Sequence, residues 1–196
     1  MKALVADITE IRADGIVNAG NGRGPMGAGV AGAIRRAGGK SVQDDAIRVC
    51  KAAGWFKEGD CYVSISGELA KSGVKAIYHA VTMDFPGGRT SLDTVGKALR
   101  NTLERAVQDG IKRIAVPGLG TGIGALPKKA VAITMVRVAS SYSGKIEVVF
   151  ADVDSEFIDY INEAISTGER NNEERTGPDG DGIKQGLGSD PHKVGS

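Results

Sequence analysis

The sequence predicts an α/β fold, a three-layer α/β/α sandwich around a central mixed, mostly parallel sheet. Short β-rich runs alternate with amphipathic helical runs along the chain, and turn residues separate them. Strands that alternate with crossover helices form a largely parallel sheet that is covered on both faces. A length of 196 residues with 41% hydrophobic content suits one such core.

Six strands and five helices are expected along the chain, with turn residues between them. The expected strands cover residues 2–6, 15–19, 60–66, 76–81, 113–117 and 145–151, and the expected helices cover residues 29–37, 41–53, 91–108, 127–140 and 155–165. In the third helix, apolar residues recur at steps of three and four from Leu92 to Ala106, which makes one apolar face. Pro127 is typical of the first turn of a helix.

The chain divides into a folded body and a polar C-terminal segment. Residues 1–166 are expected to form one domain, and residues 167–196 are expected to form a disordered tail. The tail has no aromatic residue, and its large apolar residues are only Ile183, Leu187 and Val194. Such a segment cannot bury enough apolar surface to offset the entropy of ordering it.

Charge and cysteine content exclude several classes of protein. The 25 basic and 24 acidic side chains nearly cancel, so phosphate neutralisation by bulk charge is not expected, and no nucleic-acid partner is predicted. The chain has no apolar run that approaches the roughly 18 to 20 residues of a bilayer span, and its start does not resemble a signal peptide. We therefore expect a cytoplasmic protein without a membrane partner. Cys50 and Cys61 form neither a disulfide framework nor a zinc motif, so no metal is expected.

Two glycine-rich loops each follow a predicted strand and precede a helix. The first contains Gly22-x-Gly24-x-x-Gly27 and Gly27-x-Gly29-x-x-Gly32, and the second contains Gly120-x-Gly122-x-x-Ala125. Glycine lets backbone amides approach a ligand, and a helix N-terminus favours an anion. Since ligands bind beyond the carboxyl ends of parallel strands, the two loops predict a diphosphate site at one sheet edge. No Walker A sequence is present.

A nicotinamide dehydrogenase is one alternative use of these glycines. It requires an acidic residue about 20 positions after the first loop, at the end of the next strand, to bind a ribose. Asp44 and Asp45 fall inside a predicted helix, and Glu68 is too distant. The sequence therefore favours another diphosphate ligand, and no cofactor is predicted.

Four segments, taken in their order along the chain, resemble one known family. They are Asp7-Ile-Thr9, Val17-Asn-Ala-Gly-Asn21, Met26-Gly-Ala-Gly-Val-Ala-Gly-Ala-Ile34 and Gly120-Thr-Gly-Ile-Gly-Ala-Leu-Pro127. Together with the run Ile77-Tyr-His-Ala-Val81, they resemble the macro domain, an ADP-ribose-binding α/β/α module. Their order and spacing fit this family from residue 2 to residue 165.

The resemblance implies a role for residues at both ends of the ligand. Asp7 would accept a hydrogen bond from the exocyclic amine of adenine, and the Ile8 amide would donate to a ring nitrogen. The alternative for Asp7 is that it caps a turn. Asn21 is the catalytic candidate, because it would hold the distal ribose hydroxyls and the attacking water.

The resemblance also implies that backbone amides bind the diphosphate. The amides expected at the distal ribose and one phosphate are those of Gly27, Ala28, Gly29 and Val30. The residues expected to enclose the diphosphate are Gly120, Thr121, Gly122, Ile123 and Gly124. Asn18 is expected to brace the loop, and His79 is expected to be a core histidine without a catalytic role.

The chain departs from the family pattern at three positions. Ala31 stands where many hydrolytic macro domains carry an aspartate, which removes one general base. Gly124 replaces an aromatic residue near the distal ribose, so Phe85 would have to supply that contact. After the last strand the adenine-stacking aromatic is missing, so Phe150 or Phe157 would have to substitute.

These observations support a ranked set of functions. We expect binding of ADP-ribose or an ADP-ribosylated protein, with hydrolysis of ADP-ribosyl esters on proteins or of O-acetyl-ADP-ribose. The alternative is a non-catalytic ADP-ribose reader, which Ala31 favours. An NAD-dependent oxidoreductase is more remote, and RNA binding is disfavoured because the chain lacks basic excess and interleaved aromatics.

Overall fold

Six strands and five α-helices make up the fold in the computed structural model, which describes residues 1–176. The strands are β1 (Lys2–Val5), β2 (Gly15–Asn21), β3 (Cys61–Ile65), β4 (Ala76–Met83), β5 (Arg113–Val116) and β6 (Glu147–Asp152). The helices are α1 (Gly29–Gly38), α2 (Lys40–Ala52), α3 (Leu92–Gln108), α4 (Lys128–Ser140) and α5 (Ser155–Thr176). Every element expected from the sequence is present at close to its expected position.

The six strands form one sheet in the order β1-β6-β5-β2-β4-β3. All neighbouring pairs are parallel except β3 and β4, which are antiparallel. The prediction of a mixed, mostly parallel sheet is confirmed. Because five of the strands run in the same direction, their carboxyl ends lie at one edge, where the loops after β1, β2, β5 and β6 meet.

Helices cover both faces of this sheet. On one face Val17, Leu99 and Met135 belong to a buried cluster that also includes residues of α5. On the other face Ile16 and Ile34 pack in a second cluster beneath α1 and α2. Successive residues of β2 point to opposite clusters, as the alternation of a strand buried on both faces requires. The three-layer α/β/α sandwich is confirmed.

The longest predicted apolar face is buried as expected. Within α3, Val95, Leu99 and Leu103 are inaccessible to solvent. The hydroxyl of Ser91 accepts a hydrogen bond from the Thr94 amide at 3.1 Å and so caps the start of this helix. The sequence predicts Pro127 in the first turn of a helix. In the structure Pro127 is the N-cap of α4, and the helix begins one residue later, at Lys128.

Helix α5 is longer than the sequence predicts. It continues to Thr176, beyond the expected end at residue 165 and beyond residue 167, where the tail was expected to begin. Extending a helix that is already nucleated costs little per residue, so a helix can continue through a polar sequence such as residues 166–176. The rest of the predicted tail, residues 177–196, lies outside the described residues. No helix in residues 1–176 is long and apolar enough to cross a membrane.

Candidate functional site

A cleft of about 720 Å³ lies at the carboxyl edge of the parallel strands. Its walls come from α1, from the ends of β1, β2, β4, β5 and β6, and from the loops that follow these strands. The residues to which the family resemblance gives a role in ligand binding all line this one cleft: Asp7, Ile8, Asn21, Gly27, Ala28, Gly29, Val30, Gly120, Thr121, Gly122, Ile123 and Gly124. The volume falls within the usual range for small-molecule sites.

The side chain of Asn21 braces the first glycine loop. Its Oδ1 accepts hydrogen bonds from the amides of Arg23 at 2.9 Å and Gly24 at 3.1 Å, and its Nδ2 donates to the Pro25 carbonyl at 3.0 Å. An Asn amide carries two donor hydrogens, so one Nδ2–H remains for a ligand. Asn21 therefore has a structural role that the sequence assigned to Asn18.

The glycines of the first loop form two groups that differ in what surrounds them. A Cβ at Gly22 would overlap the Phe56 carbonyl oxygen, and Gly24 has a φ of 97° and lies against the backbone of Ile47. These two glycines pack the loop against its surroundings. In contrast, a Cβ at Gly27 or Gly29 would meet no atom within 4 Å. The space beside these later glycines is open to a ligand.

The N-terminus of α1 opens into the cleft. Ala28 stands at the N-cap and offers no side-chain hydrogen bond, so none of the first helix amides is capped by it. Gly27 and Ala28, which precede the helix, also line the cleft. Free amides at a helix N-terminus favour an anion, both as donors and through the positive end of the helix dipole.

The second glycine loop is folded back on itself. The Leu126 amide donates to the Gly120 carbonyl at 3.1 Å, and the Ala125 amide donates to the Gly122 carbonyl at 3.0 Å. Gly120 has a φ of 81°, and a Cβ at Gly124 would lie 2.5 Å from Cγ2 of Thr90. Ile123 projects from the tip of the loop and is 73% exposed, so it can close over a ligand in the cleft.

Asp7 both caps a turn and lines the cleft. Its Oδ1 accepts hydrogen bonds from the Thr9 amide at 2.9 Å and the Thr9 hydroxyl at 2.7 Å. Among the described residues no partner is recorded for Oδ2, so one oxygen remains for a ligand. The neighbouring Ile8 is buried and packs its side chain into the core. The turn therefore fixes the carboxylate at the end of β1.

The aromatic side chains proposed to contact the ligand do not line the cleft. Phe150 and Phe157 are buried in the core beneath α3, α4 and α5, and Phe85 is 56% exposed outside the cleft. Phe150 points away because alternate residues of β6 face opposite sides of the sheet. In the part of the chain that the structure describes, the exposed apolar residue that lines the cleft after β6 is Val153.

His79 is a neutral core residue, as the sequence predicts. It is fully buried and stacks on Tyr62 with 4.3 Å between ring centroids. Asn18 Nδ2 donates to its Nδ1 at 3.0 Å, so its Nε2–H donates to the Ser64 hydroxyl at 2.8 Å. Burial lowers the pKa of His79 to about 3. Asn18 thus fixes His79, and neither residue lines the cleft.

Sequence reasoning missed two acidic residues that follow β6 and line the cleft. Asp152 accepts the Gly118 amide at 3.0 Å through Oδ2 and the Asp154 amide at 3.0 Å through Oδ1. It therefore ties the second glycine loop to the end of β6. Asp154 lies 2.6 Å from the Lys128 ammonium, and this hydrogen bond lowers the pKa of its carboxyl. The rule that ligands bind at strand ends could have identified both residues.

No group of acidic, histidine or cysteine residues within residues 1–176 is arranged to hold a metal ion. The two cysteines are free, and burial raises the pKa of the Cys61 thiol to about 11. Neither cysteine lines the cleft. The polar groups that line the cleft are therefore backbone amides, an asparagine, two threonines, three carboxylates and Arg36.

Comparisons with known proteins identify a family. A family model described as the Macro domain matches residues 17–135. An uncharacterized protein of Aquifex aeolicus is 37% identical over 161 residues, which cover 81% of this chain and 93% of that protein. A protein of Klebsiella pneumoniae named O-acetyl-ADP-ribose deacetylase is 32% identical over 142 residues, which cover 72% of this chain and 79% of that protein.

Solved structures share the fold. The Oceanobacillus iheyensis macrodomain with MES bound superposes with a TM-score of 0.76 at 21% identity, over 86% of this chain and 92% of that chain. The Trypanosoma brucei macrodomain in complex with ADP-ribose superposes with a TM-score of 0.69 at 21% identity, over 83% of this chain and 68% of that chain. The six-stranded sheet with helices on both faces is common to them.

Proposed function

The chain belongs to the macro-domain family, and from this premise we propose that it binds ADP-ribose in the cleft and hydrolyses ADP-ribose esters. The observation that carries the proposal is the meeting of two glycine loops in one cleft of about 720 Å³. Both loops present backbone amides, and one also presents a helix N-terminus. Such an arrangement suits a diphosphate held from two sides.

The ligand's orientation follows from the chemistry at each end of the cleft. The free Oδ2 of Asp7 accepts from the adenine amine, and the Ile8 amide donates to a ring nitrogen. The diphosphate lies between the amides of residues 27–30 and residues 120–124. The distal ribose then reaches Asn21, whose remaining Nδ2–H donates to a ribose hydroxyl.

Hydrolysis in this cleft proceeds without a protein carboxylate at position 31, which is Ala31. The distal ribose hydroxyl that Asn21 holds orients a water, and a phosphate oxygen of the substrate accepts a proton from that water. The water oxygen forms a bond to the ester carbonyl carbon, the bond from that carbon to the ribose oxygen breaks, and the ribose oxygen takes up the proton. Because the cleft holds the water and the ester in one geometry, positioning accounts for much of the rate acceleration.

A non-catalytic reader is the second candidate, and Ala31 is the observation that favours it. The oxidoreductase is disfavoured because Asp44 pairs with Lys40 on the exposed face of α2, and Asp45 binds Arg48 and the Ile65 amide. Neither acid lines the cleft where a dehydrogenase would use it to hold a ribose.

The experiment combines binding with turnover. Isothermal titration of the protein with ADP-ribose, ADP and NAD at one salt concentration should give selective binding of ADP-ribose. Release of acetate from O-acetyl-ADP-ribose should then proceed with the wild type. If ADP-ribose binds and no ester is cleaved, the protein is a reader. If NAD binds as tightly as ADP-ribose, the oxidoreductase is favoured, and if no ligand binds, the proposal is wrong.

Asn21→Asp separates the two roles of Asn21. The aspartate still accepts from the amides of Arg23 and Gly24, so two of the three hydrogen bonds that brace the loop remain, but the donor to the Pro25 carbonyl and the donor to the ligand are lost. We expect turnover to fall by at least about tenfold while ADP-ribose still binds. Unchanged turnover would show that Asn21 acts only on the loop.

A further inference from the structure

We propose that Arg36 supplies the positive charge that balances the ligand's diphosphate in the cleft. This inference rests on the proposed function, because it assigns the diphosphate of that same ligand a charged partner beyond the backbone amides. It makes Arg36 a binding residue that selects phosphate-bearing ligands. Four observations support it: the charge of the cleft lining, the position of Arg36 on α1, the direction of its side chain and its freedom from other partners.

The charged side chains that line the cleft are unbalanced. Three of them are carboxylates, Asp7, Asp152 and Asp154, and the fourth is Arg36, which is the one cation of the lining within residues 1–176. Asp154 is already paired with Lys128. Asp7 and Asp152 keep a negative charge beside a ligand that is itself a dianion. Amide dipoles carry only partial charges, so the full positive charge of Arg36 reduces the repulsion between these carboxylates and the diphosphate.

The position of Arg36 on α1 brings it to the correct wall. It follows Gly29, the first residue of α1, by seven positions, which is two helical turns on the same face. Gly29 and Ala33 line the cleft with Arg36, so one stripe of α1 forms this wall. The stripe begins at the uncapped helix N-terminus, where the phosphate is expected.

The side chain of Arg36 folds back along the helix toward that N-terminus. Its Nη1 lies 3.3 Å from the place that a Cβ at Gly32 would occupy. Side chains on helices lean toward the N-terminus, and the missing side chain at Gly32 lets the guanidinium lie against the backbone. Gly32 is one turn, about 4.5 Å of rise, from Gly29. The guanidinium therefore lies near the proposed phosphate site.

Arg36 makes no competing interaction. It is exposed, and within the described part of the chain its guanidinium has no hydrogen bond, ion pair or ring contact. Other cations near the cleft differ in this respect, since Lys128 holds two carboxylates and Arg23 lies over the Trp55 ring at 4.6 Å. A free guanidinium can donate two parallel hydrogen bonds to phosphate oxygens.

The test compares ligands with and without phosphate. Wild type, Arg36→Gln, Arg36→Lys and Arg35→Gln are titrated with ADP-ribose, ADP and adenosine at two salt concentrations. Arg35 is the matched control, because it precedes Arg36 on α1 but does not line the cleft. Melting temperatures of all four proteins should agree, since the Arg36 side chain has no internal partner to lose.

We expect Arg36→Gln to weaken ADP-ribose and ADP by about tenfold and to leave adenosine unchanged. Its ADP-ribose affinity should also depend less on salt, Arg36→Lys should retain part of the affinity, and Arg35→Gln should bind as the wild type. An equal loss for adenosine would show that Arg36 contacts the base and would overturn the proposal. Wild-type affinity in Arg36→Gln would overturn it while leaving the proposed function intact. Absence of ADP-ribose binding in the wild type would overturn both.

Discussion

The carboxylate of Asp7 shows how one side chain serves both the fold and a ligand. Oδ1 is committed to the Thr9 amide and hydroxyl, which fixes the turn after β1. Oδ2 has no hydrogen-bond partner within residues 1–176, and Asp7 lines the cleft. The turn-capping and ligand-binding interpretations of this residue are therefore compatible, since each uses a different oxygen.

Asp7→Asn should change base preference without unfolding the turn. The asparagine Oδ1 can still accept from Thr9, but an NH₂ group replaces the free oxygen and opposes the adenine amine. We expect ADP to bind at least about tenfold more weakly, which corresponds to about 1.4 kcal/mol. IDP, whose base carries a carbonyl in place of the amine, should lose less affinity than ADP when Asp7 is replaced, because this carbonyl can accept from the new NH₂ group. Titration of both nucleotides checks this, and an unchanged preference for ADP would remove Asp7 from the base contact.

His79 should make stability depend on pH. Burial lowers its pKa to about 3 from about 6.5, so between these values the unfolded chain binds a proton that the folded chain does not. Stability is therefore fully present above pH 6.5 and is lost as the pH falls, by about 2 kcal/mol between pH 7 and pH 5. The pKa of the Asp154 carboxyl, which the hydrogen bond from Lys128 lowers, moves away from the range between pH 5 and pH 7.

Denaturant unfolding at pH 5 and pH 7 measures this effect. The wild type should lose stability at pH 5, and His79→Gln should show a much smaller difference between the two pH values. A wild-type stability that is equal at both would contradict a neutral buried His79.

At this scale the sequence identified the cleft residues but not their partners. Motif spacing led to Asp7, Asn21 and the two glycine loops. It could not reveal Arg36, because a lone arginine on a helix has no motif, and its place depends on how α1 packs. The aromatic assignments were wrong because the face to which Phe150 points depends on the register of β6 in the sheet.

In the second glycine loop, Gly124 is packed closely against its surroundings, whereas the space beside Gly122 is open. A Cβ at Gly124 would lie 2.5 Å from Thr90 Cγ2 and 2.7 Å from the Gly120 carbonyl oxygen. Gly124→Ala should therefore displace the loop, cost about 1–3 kcal/mol of stability and weaken ADP-ribose binding. Thermal unfolding and titration of the variant measure both effects.

Gly122→Ala is the matched control for that variant. A Cβ at Gly122 would meet no atom within 4 Å, so its stability should stay within about 0.5 kcal/mol of the wild type. Equal destabilisation by both substitutions would contradict the loop packing described for Gly124.

Secondary structure followed closely from apolar periodicity and turn residues. Each strand and helix occurs where the alternation predicts it, and the cap at Ser91 marks the start of α3. The exception is the end of α5, which passes through Gly168 and continues to Thr176, where Gly177 and Pro178 follow in the sequence. A glycine is tolerated inside a helix at a cost of about 1 kcal/mol relative to alanine, so Gly168 and the polar composition after residue 166 do not mark the end of this helix.

For the whole molecule, we propose that ligand binding resides in the domain and not in the C-terminal segment. Within residues 1–176, the last residue that lines the cleft is Asp154. A chain that stops at Thr176 should keep the ADP-ribose affinity and the melting temperature of the full protein. Titration and thermal unfolding of both proteins check this. An affinity that falls by tenfold on removal of residues 177–196 would place part of the site in that segment.

Binding of ADP-ribose by the two glycine loops is tested most directly by titrating ¹⁵N-labelled protein with ADP-ribose and following the amide chemical shifts in NMR spectra. We predict that the shifts concentrate in Ile8, in residues 27–30 and in residues 120–124, the amides that the account assigns to the ligand. A second concavity of about 570 Å³, lined by residues of α4 and α5 such as Ile133 and Tyr160, should remain unaffected. Shifts confined to that concavity, or no shifts at all, would contradict the account.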